Sequence, residues 1–317
     1  MESLEKEGLA PKFHLLDIGD EATVEQLRDH IVEKYGGLDI LVNNAGIAFK
    51  MDATEPIGEQ ARTTLGTNYW ANKRVCEILF PILRPGARVV NMSSVAGFLG
   101  ILGARSGDKV RAAELRKKIS SPSLTVEELD SLMRNFEVTA MAATQAEYGW
   151  PSSAYVVSKV GWSALTRIQQ RNMDGDCRKD IVVNHVHPGY VDTDMTRGHT
   201  FGDYSPVTVD RFAIPTICKI FFSSNFSVNF KMYHSASLAR TNFFGMYAPL
   251  SPCIMNNYYC ETTTFNRFYS KRKYFRGSES GVFAALLPPG TAVRGEYIWD
   301  DCSILDWVEG PLPDNFA

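Results

Sequence analysis

Tyr155 and Lys159, in the run YVVSK, are the two residues of this chain best suited by type and spacing to move a proton. On a helix, residues four apart share a face, so the phenol and the ammonium can reach one side of a cleft. An unperturbed tyrosine titrates near ~10, too high for efficient proton exchange at neutral pH. A neighbouring cation favours phenolate and lowers that value, which makes the pair a candidate acid/base. Taken alone, YxxxK also describes an ordinary solvated helix. Two polar loops precede it. Asn43-Asn44-Ala45-Gly46 offers small residues against which a flat ligand can lie and amides that can pin the loop. Ser93-Ser94 offers two hydroxyls, read here as exposed. Each is by itself consistent with a plain turn; their order ahead of Tyr155, each at a strand end, favours chemistry.

The elements that must position these residues alternate. Lys12 to Ile18 reads as a short strand ending at Asp17, and Thr23 with Gln26 has capping-box spacing for a following helix. Val24, Leu27, Ile31 and Tyr35 make its apolar stripe, and Gly36-Gly37 stops it. Leu38 to Val42, Arg88 to Met92 and Ile181 to Val186 are apolar runs of the kind buried on both faces of a parallel sheet. Helices are expected over Arg62 to Leu83, from Thr125 (boxed by Glu128, with Val126, Leu129, Leu132, Met133 and Phe136 on one side), and over Ser153 to Asn172. Such alternation argues an open, parallel α/β sheet, whose ligands lie beyond the carboxyl ends of the strands. The loops after Ile18, Val42, Met92 and Val186 are therefore the ones to watch.

Composition excludes several classes. The 317 residues are 44% hydrophobic and 22% charged, an ordinary globular balance rather than a disordered or fibrous one. A net charge of -3 gives no electrostatic case for nucleic acid or anionic membrane. No run reaches the ~18–20 apolar residues that span a bilayer, and MESLEKEGL has no signal-peptide core. Six cysteines without CxxC or zinc spacing read as unpaired thiols of a reducing compartment, so a cytoplasmic protein is expected. His185 and His187, two apart at a strand end, face one side but have no third ligand nearby, and no metal site is expected. Lys271-Arg272-Lys273 and Arg116-Lys117-Lys118 read as solvated surface.

Together, LDILVNNAG (38–46), TN (67–68), RVVNMSS (88–94), YVVSK (155–159) and HPGYVDTDM (187–195) resemble the short-chain dehydrogenase/reductase family. Within it, LVNNAGIAFK, the long 94–155 spacing, GWPSSAY (149–155) and LLPPG (286–290) are similar to the monomeric NADPH-dependent carbonyl reductases. The resemblance implies a Rossmann-like doubly wound sheet and hydride transfer from NADPH to aldehydes, ketones or quinones. Tyr155 would protonate the carbonyl oxygen, Lys159 would depress the tyrosine's pKa and hold the nicotinamide ribose, and Ser94 would orient the carbonyl. Asn68 would position a water in the proton relay. Asp17 and Ile18 would contact adenine, Asn44 the adenosine-side ribose, and Val191, Asp192 and Thr193 the nicotinamide amide. Phe49, Lys50, Met51 and Gln60 match positions that touch glutathione in that subgroup, and Tyr190 matches a cleft-lining aromatic. A small-molecule carbonyl, glutathione conjugates included, is the implied partner of a monomeric enzyme.

The family pattern fails in two places. The glycine-rich TGxxxGxG turn, whose amides hold a pyrophosphate at a helix N-terminus, is absent, so an N-terminally truncated sheet lacking its first two strands is expected. That would leave one edge of Leu38–Val42 bare and cofactor bound weakly or not at all. Residues 201–276 carry 18 of the 36 aromatics, nine Lys/Arg and only three acids. The reductase domain is accordingly expected over 1–199 plus 277–317, with 200–276 a large irregular insertion. A lid, an interaction surface, or peptide from unspliced or mispredicted sequence compete to explain it, and the absent turn favours the third. The rival to an enzyme is an impaired or inactive isoform that binds protein through 201–276 or the bare edge. Restoring a family-like N-terminus and deleting 200–276 is expected to recover soluble, cofactor-binding protein.

Overall fold

The computed structural model describes residues 12–50, 52–189, 191–193, 195, 207–208, 244–247 and 279–310. Met51, Tyr190 and most of the 200–276 segment therefore lie outside the described residues. In chain order the elements are α1 (Glu21–Tyr35), β1 (Leu38–Asn43), α2 (Ile57–Leu65), a π-helical turn (Gly66–Ala71), α3 (Asn72–Leu79) and β2 (Leu83–Met92). They continue with α4 (Gly100–Arg105), α5 (Lys109–Ile119), α6 (Val126–Met141), α7 (Ala154–Asp174), β3 (Val182–Val186), β4 (Val191–Asp192) and β5 (Val207–Thr208). The last are β6 (Phe244–Tyr247), α8 (Glu279–Ala285), β7 (Tyr297–Ile298) and β8 (Ile304–Leu305).

The main sheet has the order β6-β1-β2-β3-β7-β8. Its four central strands are parallel and both edge strands are antiparallel. Alternate residues serve opposite faces. Leu41, Val89 and Val183 pack with Val24, Leu27 and Ile31 of α1 and Val75 of α3, whereas Ile40, Val90 and Val186 pack with Ala284 and Ala285 of α8. Helices thus cover both faces, and the α/β expectation stands. The parallel strands all end on one side, at Asn43, Met92 and Val186, which brings their following loops to a common edge.

Local sequence explains most boundaries. Thr125 and Glu128 form the expected reciprocal box at the start of α6. Gly36 takes a φ of 72 and donates its N–H to the Val32 carbonyl, ending α1 in the left-handed conformation that glycine tolerates. The cap at the other end differs from expectation. Asp20, not Thr23, caps α1 by accepting from the Ala22 N–H, while the Thr23 hydroxyl donates to the carbonyls of Asp17 and Asp20. The expected Arg62–Leu83 helix also differs: helix starts at Ile57, passes through the π turn, and gives way by Leu83 to β2.

The expected Lys12–Ile18 strand does not form. A strand needs a ladder partner, and the available edge of β1 is already taken. β6, from inside the 200–276 segment, pairs antiparallel with it over Ile40↔Tyr247 to Asn43↔Phe244. The edge expected to be bare is therefore covered over Ile40–Asn43 by the chain's own distal residues. Deleting 200–276 without supplying another strand would uncover a buried apolar strand, and open edges template association. We expect that deletion to lower soluble yield, read by size-exclusion chromatography against the full chain; equal monodispersity would mean the β6 pairing contributes nothing.

Candidate active site

Tyr155 and Lys159 occupy the first turns of α7, which is capped by Ser153, whose side chain accepts from the Val156 N–H. The lysine ammonium sits 5.8 Å from the centre of the tyrosine ring. Its Nζ donates to the Met92 carbonyl at 2.9 Å, which ties it to the carboxyl end of β2. Burial lowers the Lys159 pKa to about 8. Below that value the folded protein carries the cost of a buried charge. Between about 8 and the ordinary 10.5 the unfolded chain binds more protons, so this group adds stability as pH rises through that window.

The tyrosine departs from the sequence expectation. Burial pushes its pKa up, and the Ser94 hydroxyl, not Lys159, draws it back down. The physical reason is the lysine's direction: its ammonium is aimed at Met92 O instead of at the phenol. At neutral pH the Tyr155 hydroxyl is therefore firmly protonated.

Ser94 is held from several sides. It caps the short 3-10 turn Val95–Gly97, its Oγ accepting from Ala96 N–H at 3.2 Å, and the buried Tyr297 hydroxyl donates to its carbonyl at 2.6 Å. The Val95 N–H donates to His187 Nδ1 at 3.0 Å. Ser93 was expected to be exposed beside it, but it is buried and hydrogen-bonded at 2.7 Å to Ser163 of α7. Close approach explains the partner across the gap, since a Cβ on Gly97 would lie 2.2 Å from Ser93 Oγ.

Asn68 lies in the π turn, an irregularity that often marks a functional position. Its Oδ1 accepts from Ile47 N–H at 2.8 Å, and its Nδ2 donates to Ile47 O at 2.9 Å and Ser158 Oγ at 3.0 Å. Asn72 Nδ2 reaches the Ala45 carbonyl at 2.9 Å. The loop after β1 is thus pinned by two helix asparagines, in addition to the Asn43 amide at its start. A Cβ on Gly46 would stand 3.3 Å from Asn68 Oδ1 and 3.7 Å from Lys159 Nζ, so this glycine brings the loop against both side chains.

These contacts bring Tyr155, Lys159, Ser94 and Asn68 into one group. Asn44 is half-buried on the same loop. Others lie in different settings. Asp17 accepts from Gly19 N–H, and Ile18 is buried in the core beneath α1. Phe49 is half-buried, Lys50 exposed, and the Gln60 amide donates to Glu55 O. Val191 and Asp192 pair with Val207 and Thr208, and Thr193 is exposed. Among the described residues no His, Cys, Asp and Glu cluster could hold a metal. His185 instead stacks at 4.9 Å on Tyr297, and His187 at 4.5 Å on Trp299, both imidazoles kept neutral by burial.

Sequence reasoning missed the buried support. Asn43 Nδ2 donates to Asn91 Oδ1 at 2.8 Å, and Asn91 Nδ2 donates to Thr166 and Gln169 of α7. This chain locks the ends of β1 and β2 to the helix that carries Tyr155. Two asparagines inside apolar strands were the available signal, because a buried amide needs partners. Tyr297 left no such signal, lying 203 residues from Ser94.

Carbonyl reductase (NADPH) 3 of Mus musculus is 43% identical over 198 residues, which cover 62% of this chain and 69% of that protein. This chain belongs to the short-chain dehydrogenase/reductase family. Carbonyl reductase (NADPH) 1 of Homo sapiens is 41% identical to this short-chain dehydrogenase/reductase over 196 residues, covering 62% of the chain and 68% of the relative. A family model described as enoyl-(acyl carrier protein) reductase matches residues 1–113. Among solved structures, salutaridine reductase of Papaver somniferum superposes with a TM-score of 0.50 at 30% identity, covering 59% of this chain and 71% of that one. No helix among the described residues of this short-chain dehydrogenase/reductase is long and apolar enough to cross a membrane.

Proposed function

We propose that this chain is an NADPH-dependent carbonyl reductase in which Tyr155 gives the proton. The observation that carries this reading is the Lys159 ammonium 5.8 Å from the Tyr155 ring on one helix face, tied through Met92 O to the carboxyl end of β2. When bound, the nicotinamide would supply a hydride to the carbonyl carbon. Ser94 would hold the carbonyl oxygen, and the Tyr155 O–H would pass its proton to that oxygen as negative charge develops there. Lys159, on the same helix face and tied to Met92 O, would hold the nicotinamide ribose. The Asn68 side chain is committed to Ile47 and Ser158, so its water-holding role would fall to the backbone.

The residues fit the nicotinamide half of the cofactor. Lys159 Nζ is buried, has one bond to Met92 O, and carries three donors. Gly46 leaves room beside it. Asp17 and Ile18 would meet adenine, Asn44 the adenosine-side ribose, and Val191, Asp192 and Thr193 the nicotinamide amide. Phe49, Lys50 and Gln60 would meet a glutathione-bearing carbonyl; Met51 and Tyr190, matched to the same subgroup by sequence, lie outside the described residues. The protein would act as a cytoplasmic monomer.

The test is a titration of purified chain with NADPH, followed by intrinsic fluorescence and by carbonyl-dependent NADPH oxidation. Saturable micromolar binding with turnover supports the enzyme. Absence of binding at millimolar cofactor defeats it and leaves the non-catalytic reading for this polypeptide.

A pH profile gives a second check. The Tyr155 proton is retained through neutrality, so the group that changes first is Lys159, at about 8. As pH rises through that value the ammonium loses its charge and one of the donors that would hold the ribose. Reductive kcat/KM is expected to be level below and to fall about tenfold per unit above. A profile flat to pH 10 would remove Lys159 from the reaction.

A further inference from the structure

The peptide unit that joins Ser94 to Val95 is held at both of its polar ends by buried side chains. Its carbonyl accepts from the Tyr297 hydroxyl at 2.6 Å, and its N–H donates to His187 Nδ1 at 3.0 Å. Tyr297 is fully buried and His187 nearly so, which leaves little water to replace either bond. A buried polar group without a partner is costly. Turning this one unit would strand a carbonyl, an N–H, a phenol and an imidazole nitrogen together.

Both side chains reach the carboxyl edge of the sheet from distant parts of the chain. His187 follows β3, its own N–H donating to Ile298 O at 2.8 Å, and Tyr297 opens β7 opposite His185. Packing fixes both rings: Tyr297 lies 4.9 Å from His185 and 5.9 Å from Phe98, and His187 lies 4.5 Å from Trp299. Their protonation suits the two roles. Burial pushes the Tyr297 pKa well above the ordinary phenol value, so this hydroxyl donates. Burial lowers His187 to about 3, so its Nδ1 accepts and the ring proton sits on Nε2.

The hold reaches the Ser94 side chain. Ser94 Oγ accepts from the Ala96 N–H, the amide next along from the held unit. The Gly97 N–H bonds to the same Ser94 carbonyl at 2.8 Å, so both acceptor positions of that oxygen are used. The Trp307 indole N–H closes the turn by donating to Gly97 O at 2.6 Å. Turning the Ser94–Val95 unit would draw the Ala96 N–H away from Ser94 Oγ and free the hydroxyl to rotate. We propose that Tyr297 and His187 are positioning residues, which lock the Ser94–Val95 peptide and thereby set the direction of the Ser94 hydroxyl. The proposal rests on the reading of Ser94 as the group that holds the substrate carbonyl.

The test pairs hydrogen exchange with turnover, both on the full chain. Amides 95–98 are expected to be protected in the parent, because each has a partner in this turn. Tyr297→Phe and His187→Leu are expected to speed their exchange about tenfold or more, with the amides of β2 little changed. His187→Asn, whose Oδ1 stands where Nδ1 stood, is expected to restore much of the protection. Unprotected amides in the parent overturn the lock whether or not the variants fold, and so does exchange unchanged in both variants. In carbonyl reduction, Tyr297→Phe is expected to lower kcat about tenfold and to leave NADPH affinity within about threefold. Made in Ser94→Ala, the same change is expected to cost less than about twofold, because the hydroxyl that it would misdirect is gone. An equal loss in both backgrounds overturns the positioning role and leaves Tyr297 a structural residue. A parent without turnover defeats the catalytic reading of Ser94 and the positioning role with it, while exchange still decides the lock.

Discussion

Tyr155→Phe will leave NADPH affinity within about threefold of the parent and lower reductive kcat by roughly 10²–10⁴, the range a positioned proton donor supplies. The ring remains in place on α7 and only the hydroxyl is lost, so the helix, Ser158 and Lys159 keep their bonds to Asn68 and Met92. Burial holds the Tyr155 pKa up, which keeps the donor form populated, and Lys159 titrates at about 8. No second group in the described cluster offers an equivalent proton: the Ser94 hydroxyl titrates far too high, and His187 is neutral, its Nδ1 taken by the Val95 N–H. The decisive measurement is steady-state turnover beside direct cofactor titration. Retention of a tenth or more of the parent kcat would place the proton donor elsewhere.

Arg88→Met carries the largest expected cost to stability. Arg88 lies in β2 with only 4% of its side chain exposed. Its Nε donates to Leu287 O at 3.0 Å, and its terminal nitrogens to Asp180 Oδ2 at 3.0 Å, Asp180 O at 2.7 Å and Pro288 O at 2.8 Å. One guanidinium thus joins β2, the turn before β3 and the segment after α8. Removing one member of a buried pair costs ~3–5 kcal/mol. The lower figure is expected here, because Arg294 still faces Asp180. Urea unfolding should show a loss of about 3 kcal/mol, and a loss below about 1 kcal/mol would mean the pair behaves as a surface contact. The same change should loosen α8, whose Ser280 hydroxyl donates to His187 O beside the Ser94 turn.

How much of this was legible beforehand divides along one line. Local signals held: the Thr125–Glu128 box, the Gly36 stop, the apolar strands, and the i, i+4 spacing of Tyr155 and Lys159 all act within a few residues. What depends on distant partners did not show. The π turn that presents Asn68 places it against Ile47, 21 residues away, and no local pattern in Gly66–Ala71 announces it. The sign of the Tyr155 shift could not be read from spacing, because it depends on burial and on where Lys159 points. Arg88 did leave a trace: a cation within an apolar strand demands a partner. That demand was readable, although the identity of Asp180 and Leu287 was not. The Lys12–Ile18 segment reads locally as a strand, whereas the edge of β1 is occupied over Ile40–Asn43 by β6, about 200 residues away in sequence.

The pairing of β1 with β6 has a consequence for the order of events at birth. The partner of Ile40–Asn43 is encoded about 200 residues later. At a synthesis rate of ~5–20 residues per second, roughly 10–40 s pass before Phe244–Tyr247 exist. Throughout that interval the nascent α/β half can assemble on one side of β1 only, with an unsatisfied ladder on the other. The hazard of strand-mediated association is therefore one of timing, carried by the growing chain on the ribosome and ended when its own distal segment arrives.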